Sequence, residues 1–275
     1  MNVGVIGLGL IGGSIAKAIS KNTSHTAFGY DKSDSVLYKA KLVGAISEEL
    51  SLKNPSNCDI IILALYPADT IEVFEKIAPE LKEGTIVIDC SGVKRNICDT
   101  IRPIAQKNNV IFIGGHPMAG IERSGLEYSF ADMFKDAPMI LTPYSDTGIS
   151  TLYKVKELFL DMGFKSITIK SPDEHDRIIA YTSQLAHILS SAYIKSPTAT
   201  SYEGMSAGSF KDMTRVAYLN ENMWTELFLE NKDNLVFEIE TLIKNLTDYK
   251  EVINSGDRES LNLLLKEGRI KKESI

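Results

Sequence analysis

His116 stands in Gly114-Gly115-His116-Pro117-Met118-Ala119-Gly120, directly after the apolar run Val110 to Ile113. Imidazole is the side chain whose ordinary pKa lies nearest neutrality, so it can take a proton from a hydroxyl group. Its position predicts the carboxyl end of a parallel strand, which faces the crevice where open α/β sheets bind ligand. A histidine that merely caps a turn is the competing reading. A second polar turn, Asp89-Cys90-Ser91-Gly92-Val93-Lys94, ends another strand-like run and should border the same crevice. Further along, Asp176, Ala180, Ser183 and His187 fall at i, i+4, i+7 and i+11, one stripe on a helix. Its neighbours Ile178, Ile179, Leu185 and Leu189 are apolar, so the stripe reads as the polar wall of a site, with a solvated face as the alternative. Lys211 and Arg215 stand one helical turn apart and share a face; taken alone they could be two exposed cations. His25, in a polar loop, reads as solvated.

Gly7-Leu8-Gly9-Leu10-Ile11-Gly12 follows an apolar strand and opens a helix, Gly13 to Ser20. A GxGxxG pattern alone can be a chance cluster of glycines, but here the strand before and the helix after supply the context a dinucleotide loop needs. Gly7 permits the tight turn, Gly9 lets the backbone approach a pyrophosphate, and Gly12 lets helix and strand pack closely. The helix N-terminus then offers N–H donors and a positive dipole to the phosphates. The second strand, Ala27 to Tyr30, ends at Asp31, 19 residues beyond Gly12. A carboxylate there accepts hydrogen bonds from a ribose diol and repels a 2′-phosphate, which favours NAD over NADP.

These groups require a particular frame. Strand-like runs at 2–7, 26–31, 59–65, 85–90, 109–114, 138–142 and 166–170 alternate with helical stretches such as Pro67 to Leu81 and Gly148 to Met162. Apolar runs separated by helices predict a parallel sheet covered on both faces. After Ile169 the alternation stops. Ser171-Pro172-Asp173-Glu174 carries the cap, first-turn proline and third-position acid of a helix start. Helical periodicity then runs through 173–195, 209–219, 221–249 and 257–270, with a break around Pro197 and Gly204 to Gly208. The expected architecture is a Rossmann-type doubly wound α/β domain, residues 1–170, followed by an all-α domain, residues 171–275. The segment 221–249 holds Trp224, Leu227, Phe228, Leu235, Val236, Ile239, Leu242, Ile243 and Leu246, more apolar surface than one small domain can bury, which predicts a homodimer.

Composition excludes several classes. Thirty basic residues against 36 acidic ones leave no basic excess to displace phosphate counterions, so no nucleic-acid partner is expected. The longest apolar run, Ile60 to Leu65, is far short of the roughly 20 residues that span a bilayer. Cys58, Cys90 and Cys98 are odd in number and lack metal-ligand spacing, so neither a disulfide scaffold nor a metal site is expected. With no basic n-region or cleavage site at the N-terminus, a cytoplasmic location is expected.

The glycine loop, the Asp89–Lys94 turn, His116-Pro117-Met118-Ala119-Gly120-Ile121-Glu122-Arg123-Ser124-Gly125, His175-Asp176-Arg177 with Thr182 to His187, and Phe210-Lys211-Asp212-Met213-Thr214-Arg215 together carry a resemblance. The chain resembles the prephenate and arogenate dehydrogenases over essentially its whole length. That resemblance implies NAD-linked oxidative decarboxylation: hydride leaves the ring carbon bearing the 4-hydroxyl, the ring carboxylate departs as CO2, and the ring becomes aromatic. It implies His116 as the base and Arg215 as the grip on a substrate carboxylate, a task for which the forked guanidinium suits better than an ammonium. Lys211, His187 and Gln184 are implied at the substrate, although many members carry histidine where this chain has Gln184. Trp224 follows the family pattern and could reach the partner subunit's site or simply pack. Asp176 is implied in an ionic network.

There are departures. Many members read Gly-Ser-Val-Lys where this chain has Ser91-Gly92-Val93-Lys94, so the family serine aligns with Gly92 and Ser91 is the candidate replacement. Ile121 stands where some members have a threonine. Prephenate is the expected substrate and arogenate the alternative. A β-hydroxyacid dehydrogenase also joins a Rossmann half to a helical half, but relies on a helical lysine and does not need His116. A non-catalytic NAD sensor would need neither His116 nor Arg215.

Overall fold

A computed structural model describes residues 1–55, 57–202 and 204–275. The first part alternates strands and helices: β1 (Asn2–Ile6), α1 (Leu10–Asn22), β2 (Thr26–Tyr30), α2 (Asp34–Leu42), β3 (Glu48–Glu49), β4 (Ile60–Leu63), α3 (Pro67–Ile77), β5 (Ile86–Asp89), α4 (Arg95–Lys107), β6 (Ile111–Pro117), β7 (Pro138–Thr142), α5 (Ile149–Asp161) and β8 (Ser166–Ile169). Among the described residues they form one eight-stranded sheet in the order β3-β2-β1-β4-β5-β6-β7-β8. The order reverses between β1 and β4, the switch point where such sheets open a ligand crevice.

Alternate residues of the central strands build two cores. Val3, Val5, Ile60, Ile62, Ile86 and Ile88 pack against α1, α2 and α5 on one face. Ile61, Leu63, Val87 and Phe112 pack against α3 and α4 on the other. This is the doubly wound arrangement that the apolar runs predict, with one correction. β7 runs antiparallel to β6, through the register Gly114↔Thr142 to Pro117↔Met139. A parallel pairing needs a crossover element, and residues 118–137 contain only the short 3-10 turns Leu126–Tyr128 and Ala131–Phe134. Their Leu126, Met133 and Phe134 are buried in the α1 face of the core instead.

Beyond β8 the chain is helical: α6 (Pro172–Ile179), a π segment (Ala180–Gln184), α7 (Leu185–Tyr193), α8 (Gly208–Thr214), α9 (Glu221–Glu230), α10 (Lys232–Ser255) and α11 (Arg258–Glu273). The predicted capping box closes α6: Ser171 Oγ accepts from the Glu174 N–H, and the Glu174 carboxylate accepts from the Ser171 N–H. The helix expected over 221–249 is two helices, because Asn231 leaves the helical backbone at φ −119 and ψ 27. The π segment adds a residue to its turn, so the straight stripe from Asp176 to His187 is broken: Asp176 and Gln184 are buried while Ser183 and His187 are half-buried. Among the described residues, no helix is long and apolar enough to cross a membrane.

Candidate active site

The glycine loop is shaped for close approach on both sides. Gly7 has φ +88°, and a Cβ on Gly12 would stand 1.8 Å from the Gly7 carbonyl oxygen, so neither position can carry a side chain. Gly9 is the reverse case: a Cβ there would meet nothing within 4 Å, which leaves open space over the first turn of α1. No side chain caps that turn. Leu8 is fully buried, while Leu10 and Ile11 open α1 and pack on the core, so all three serve the loop through their backbones. The Asp31 carboxylate, at the end of β2, accepts from the Leu8 N–H at 2.9 Å and from the Ser33 N–H at 3.0 Å. It therefore ties the loop to the end of the second strand. An open, uncapped helix N-terminus beside a fixed carboxylate fits a dinucleotide.

His116 lies near the end of β6, half-buried. Its Nδ1 is 2.9 Å from His175 Nε2, and His175 Nδ1 is 2.7 Å from Asp176 Oδ1. Burial, and after it the neighbouring His175 and Lys94, hold the His116 pKa well below the usual histidine range. On the other side of the ring, a Cβ on Gly92 would stand 3.9 Å from Nε2. The residue facing the imidazole from the β5 turn is thus Gly92. Ser91 is buried, donates its hydroxyl to the Leu65 carbonyl at 3.3 Å, and is not brought to His116. The residue that does reach the ring, His175, sits in the first turn of α6; the sequence showed it as part of the His175-Asp176-Arg177 piece of the family resemblance, with no role attached.

Beneath the ring lies a buried ionic layer. Lys94 and Asp89 form an ion pair with both side chains wholly out of solvent. Asp89 also accepts from the Ser91 and Gly115 N–H groups at 2.9 and 3.0 Å, which locks the β5 turn against β6. Asp176 is fully buried too. It accepts from the Lys94 and Arg95 N–H groups at 2.8 and 3.0 Å, so α6 is pinned to the start of α4. Burial raises its pKa, but the bonds from His175 and those backbone groups outweigh that and hold it below the ordinary value.

The helical part supplies the facing wall. Arg215, just past α8, pairs with Glu122 in the loop that follows His116. His187 donates from Nδ1 to the Val216 carbonyl at 3.0 Å, beside Arg215, and its ring lies 3.9 Å, centroid to centroid, from that of Trp224. Trp224 in turn packs on Phe228. Lys211 is exposed on α8. Gln184 is not at the crevice: it is buried, donates to the Leu227 carbonyl at 3.0 Å and accepts from Asn231 at 2.8 Å. Asn231 also donates to the Asp176 carbonyl at 2.8 Å, so these two amides splice α9 and α10 to the helix behind His175. Periodicity could not show this, because the fold consumes both amides internally.

Comparison with known proteins follows the same division. Residues 15–168 match the family model for the prephenate dehydrogenase nucleotide-binding domain, and residues 171–267 match that for the prephenate dehydrogenase dimerization domain. The chain is 32% identical to a prephenate dehydrogenase of Lactococcus lactis subsp. cremoris, over 96% of this chain and 75% of that protein. It is 30% identical to a cyclohexadienyl dehydrogenase of Zymomonas mobilis, over 94% of this chain and 91% of that one. It superimposes with a TM-score of 0.86 on the prephenate dehydrogenase of A. aeolicus, solved with hydroxyphenyl propionate and NAD+, at 32% identity and covering 100% of this chain and 98% of that one. A dinucleotide cradle, a histidine at the mouth of the sheet and a helical half whose arginine pairs with the loop after that histidine are joined here in one matching chain, which belongs to the prephenate dehydrogenase family of NAD-dependent oxidoreductases.

Proposed function

We propose that the chain converts prephenate to 4-hydroxyphenylpyruvate, with His116 as the base and Arg215 as the carboxylate clamp. The observation that carries this is the Arg215–Glu122 pair, which brings the arginine of the helical part to the loop that begins at His116. This supports a reading in which base and clamp serve one crevice. Residues Gly7 to Gly12 and Asp31 would hold the dinucleotide, which supplies the hydride acceptor when bound. His116 accepts the 4-hydroxyl proton at Nε2. Arg215 orients a substrate carboxylate through its fork. His187 lies beside Arg215 and offers a polar contact to the same substrate, and Lys211 adds positive charge at the rim.

Prephenate is favoured because the carboxylates nearest the site that could take up an amino group are already engaged. Glu122 holds Arg215, and Asp176 is buried under its own donors. One observation supports arogenate as a second reading. His187 spends its Nδ1 proton on Val216, and burial lowers its pKa, so a neutral Nε2 is left as an acceptor that an ammonium could use. Steady-state NADH formation with each acid at saturating NAD decides between them: kcat/KM should be higher for prephenate, and a higher value for arogenate overturns the assignment.

We further infer a homodimer through the helical part, a division of the chain near residue 170, and a cytoplasmic setting that suits the three free thiols.

A further inference from the structure

We propose that His175 and Asp176 are positioning residues that hold His116 in its Nδ1–H form, leaving a bare Nε2 turned toward Gly92 and the substrate. The proposal rests on His116 being the base. It follows from counting donors along the chain of contacts. Backbone N–H groups can only donate, so Asp176 must accept from Lys94 and Arg95, and the Arg95 guanidinium adds positive charge with Nε 3.5 Å from Oδ2. An ionised carboxylate has no proton to give, so His175 Nδ1 is the donor in its 2.7 Å contact. Burial lowers the His175 pKa, so the ring is neutral and its Nε2 carries a lone pair. That lone pair can only accept at the 2.9 Å contact, which puts the proton of His116 on Nδ1. The tautomer of the base is therefore set 59 residues away in sequence, on another element.

The charges around the pair act in different directions. Lys94, above the Asp89 carboxylate, opposes protonation of both rings, while Asp176 favours it at His175. Arg95 is itself neutralised from α10 by Asp233, and Glu230 at the end of α9 adds a weaker negative charge near Asp176. When the substrate hydroxyl proton moves onto His116 Nε2, the Nδ1 proton can pass to His175 Nε2. The positive charge then rests on an imidazolium paired with Asp176, and no proton is created or lost.

The test uses the full chain labelled with 15N-histidine, with and without NAD. Long-range 1H–15N correlation should show His116 protonated at Nδ1 and bare at Nε2. A wild-type ring protonated at Nε2 overturns the proposal without any variant being made. His175→Leu, which removes the acceptor, should lower kcat by roughly 10²-fold or more, as a wrongly held catalytic imidazole does, with KM for NAD unchanged. His175→Gln retains a side-chain carbonyl that can accept the same bond and should recover much of the loss. Equal losses in the two variants would mean that His175 only fills space, and the proposal fails. The underlying reading fails separately, if His116→Asn keeps near-normal turnover whatever the tautomer.

Discussion

The guanidinium of Arg215 is paired with the carboxylate of Glu122, 93 residues earlier in the chain, and the pair spans from the helical part to the loop leaving His116. Arg215 is largely exposed, so the pair itself stabilises the fold little. Its value is in placing the fork. Arg215→Ala should raise KM for prephenate with a loss of about 1.5–3 kcal/mol, typical of a hydrogen bond to a charged group. KM for NAD should stay within a factor of a few. Weaker NAD binding with unchanged substrate binding would reverse the placement of this residue.

His116→Asn should fold and bind NAD while losing on the order of 10²–10⁴ in turnover. Because burial and the neighbouring His175 and Lys94 lower the His116 pKa, the ring stays neutral into mild acid. The acidic limb of kcat/KM should therefore lie below the usual histidine value of about 6.5. Stability follows the same sign. A histidine whose folded pKa is depressed contributes stability above its unfolded pKa, and that contribution is lost as pH falls toward the folded value. Both His116 and His175 are of this kind. Chemical denaturation should show stability declining below about pH 6.5, and less steeply in His116→Asn.

Asp31→Ser should narrow the preference for NAD over NADP at least tenfold, about 1.4 kcal/mol. It should also weaken NAD binding somewhat, since the same carboxylate accepts from Leu8 in the phosphate loop. Kinetics with both dinucleotides check this, and a wild type that already uses NADP as well as NAD would contradict the role of Asp31.

Asn231→Ala should destabilise the fold without touching the crevice. The change strips a partner from the Asp176 carbonyl and from Gln184, both buried, and each unpaired group costs about 1–3 kcal/mol. Urea unfolding should show a lower midpoint at an unchanged slope. An unaltered midpoint would mean that water replaces the amide.

Residues on α10 leave apolar side chains in the open within a single chain: Phe237 is 65% exposed, Ile243 57% and Ile253 62%. Patches of this kind mark an interface. Light scattering at micromolar concentration should give a dimer, and Phe237→Glu should shift it toward monomer. A monomeric wild type would contradict the assembly.

The parts legible in the sequence are those that local geometry decides. Gly7 and Gly12 are dictated by backbone that leaves no room for a Cβ, and Ser171 with Glu174 closes a helix start within four residues. The strands of the doubly wound sheet are likewise visible, because runs such as Ile60 to Leu63 are buried on both faces. Other features depend on what each group meets from far along the chain. β7 turns antiparallel because the preceding loop spends its apolar side chains on α1 instead of forming a crossover. The family resemblance implied Gln184 at the substrate, yet Leu227 and Asn231 draw its amide into the core. Spacing likewise could not rank Ser91 against Gly92 or pair His116 with His175. A side chain's type limits which bonds it can make; which of them it makes is decided by the distance and burial that packing imposes, and those exist only once the helical part has closed on the sheet.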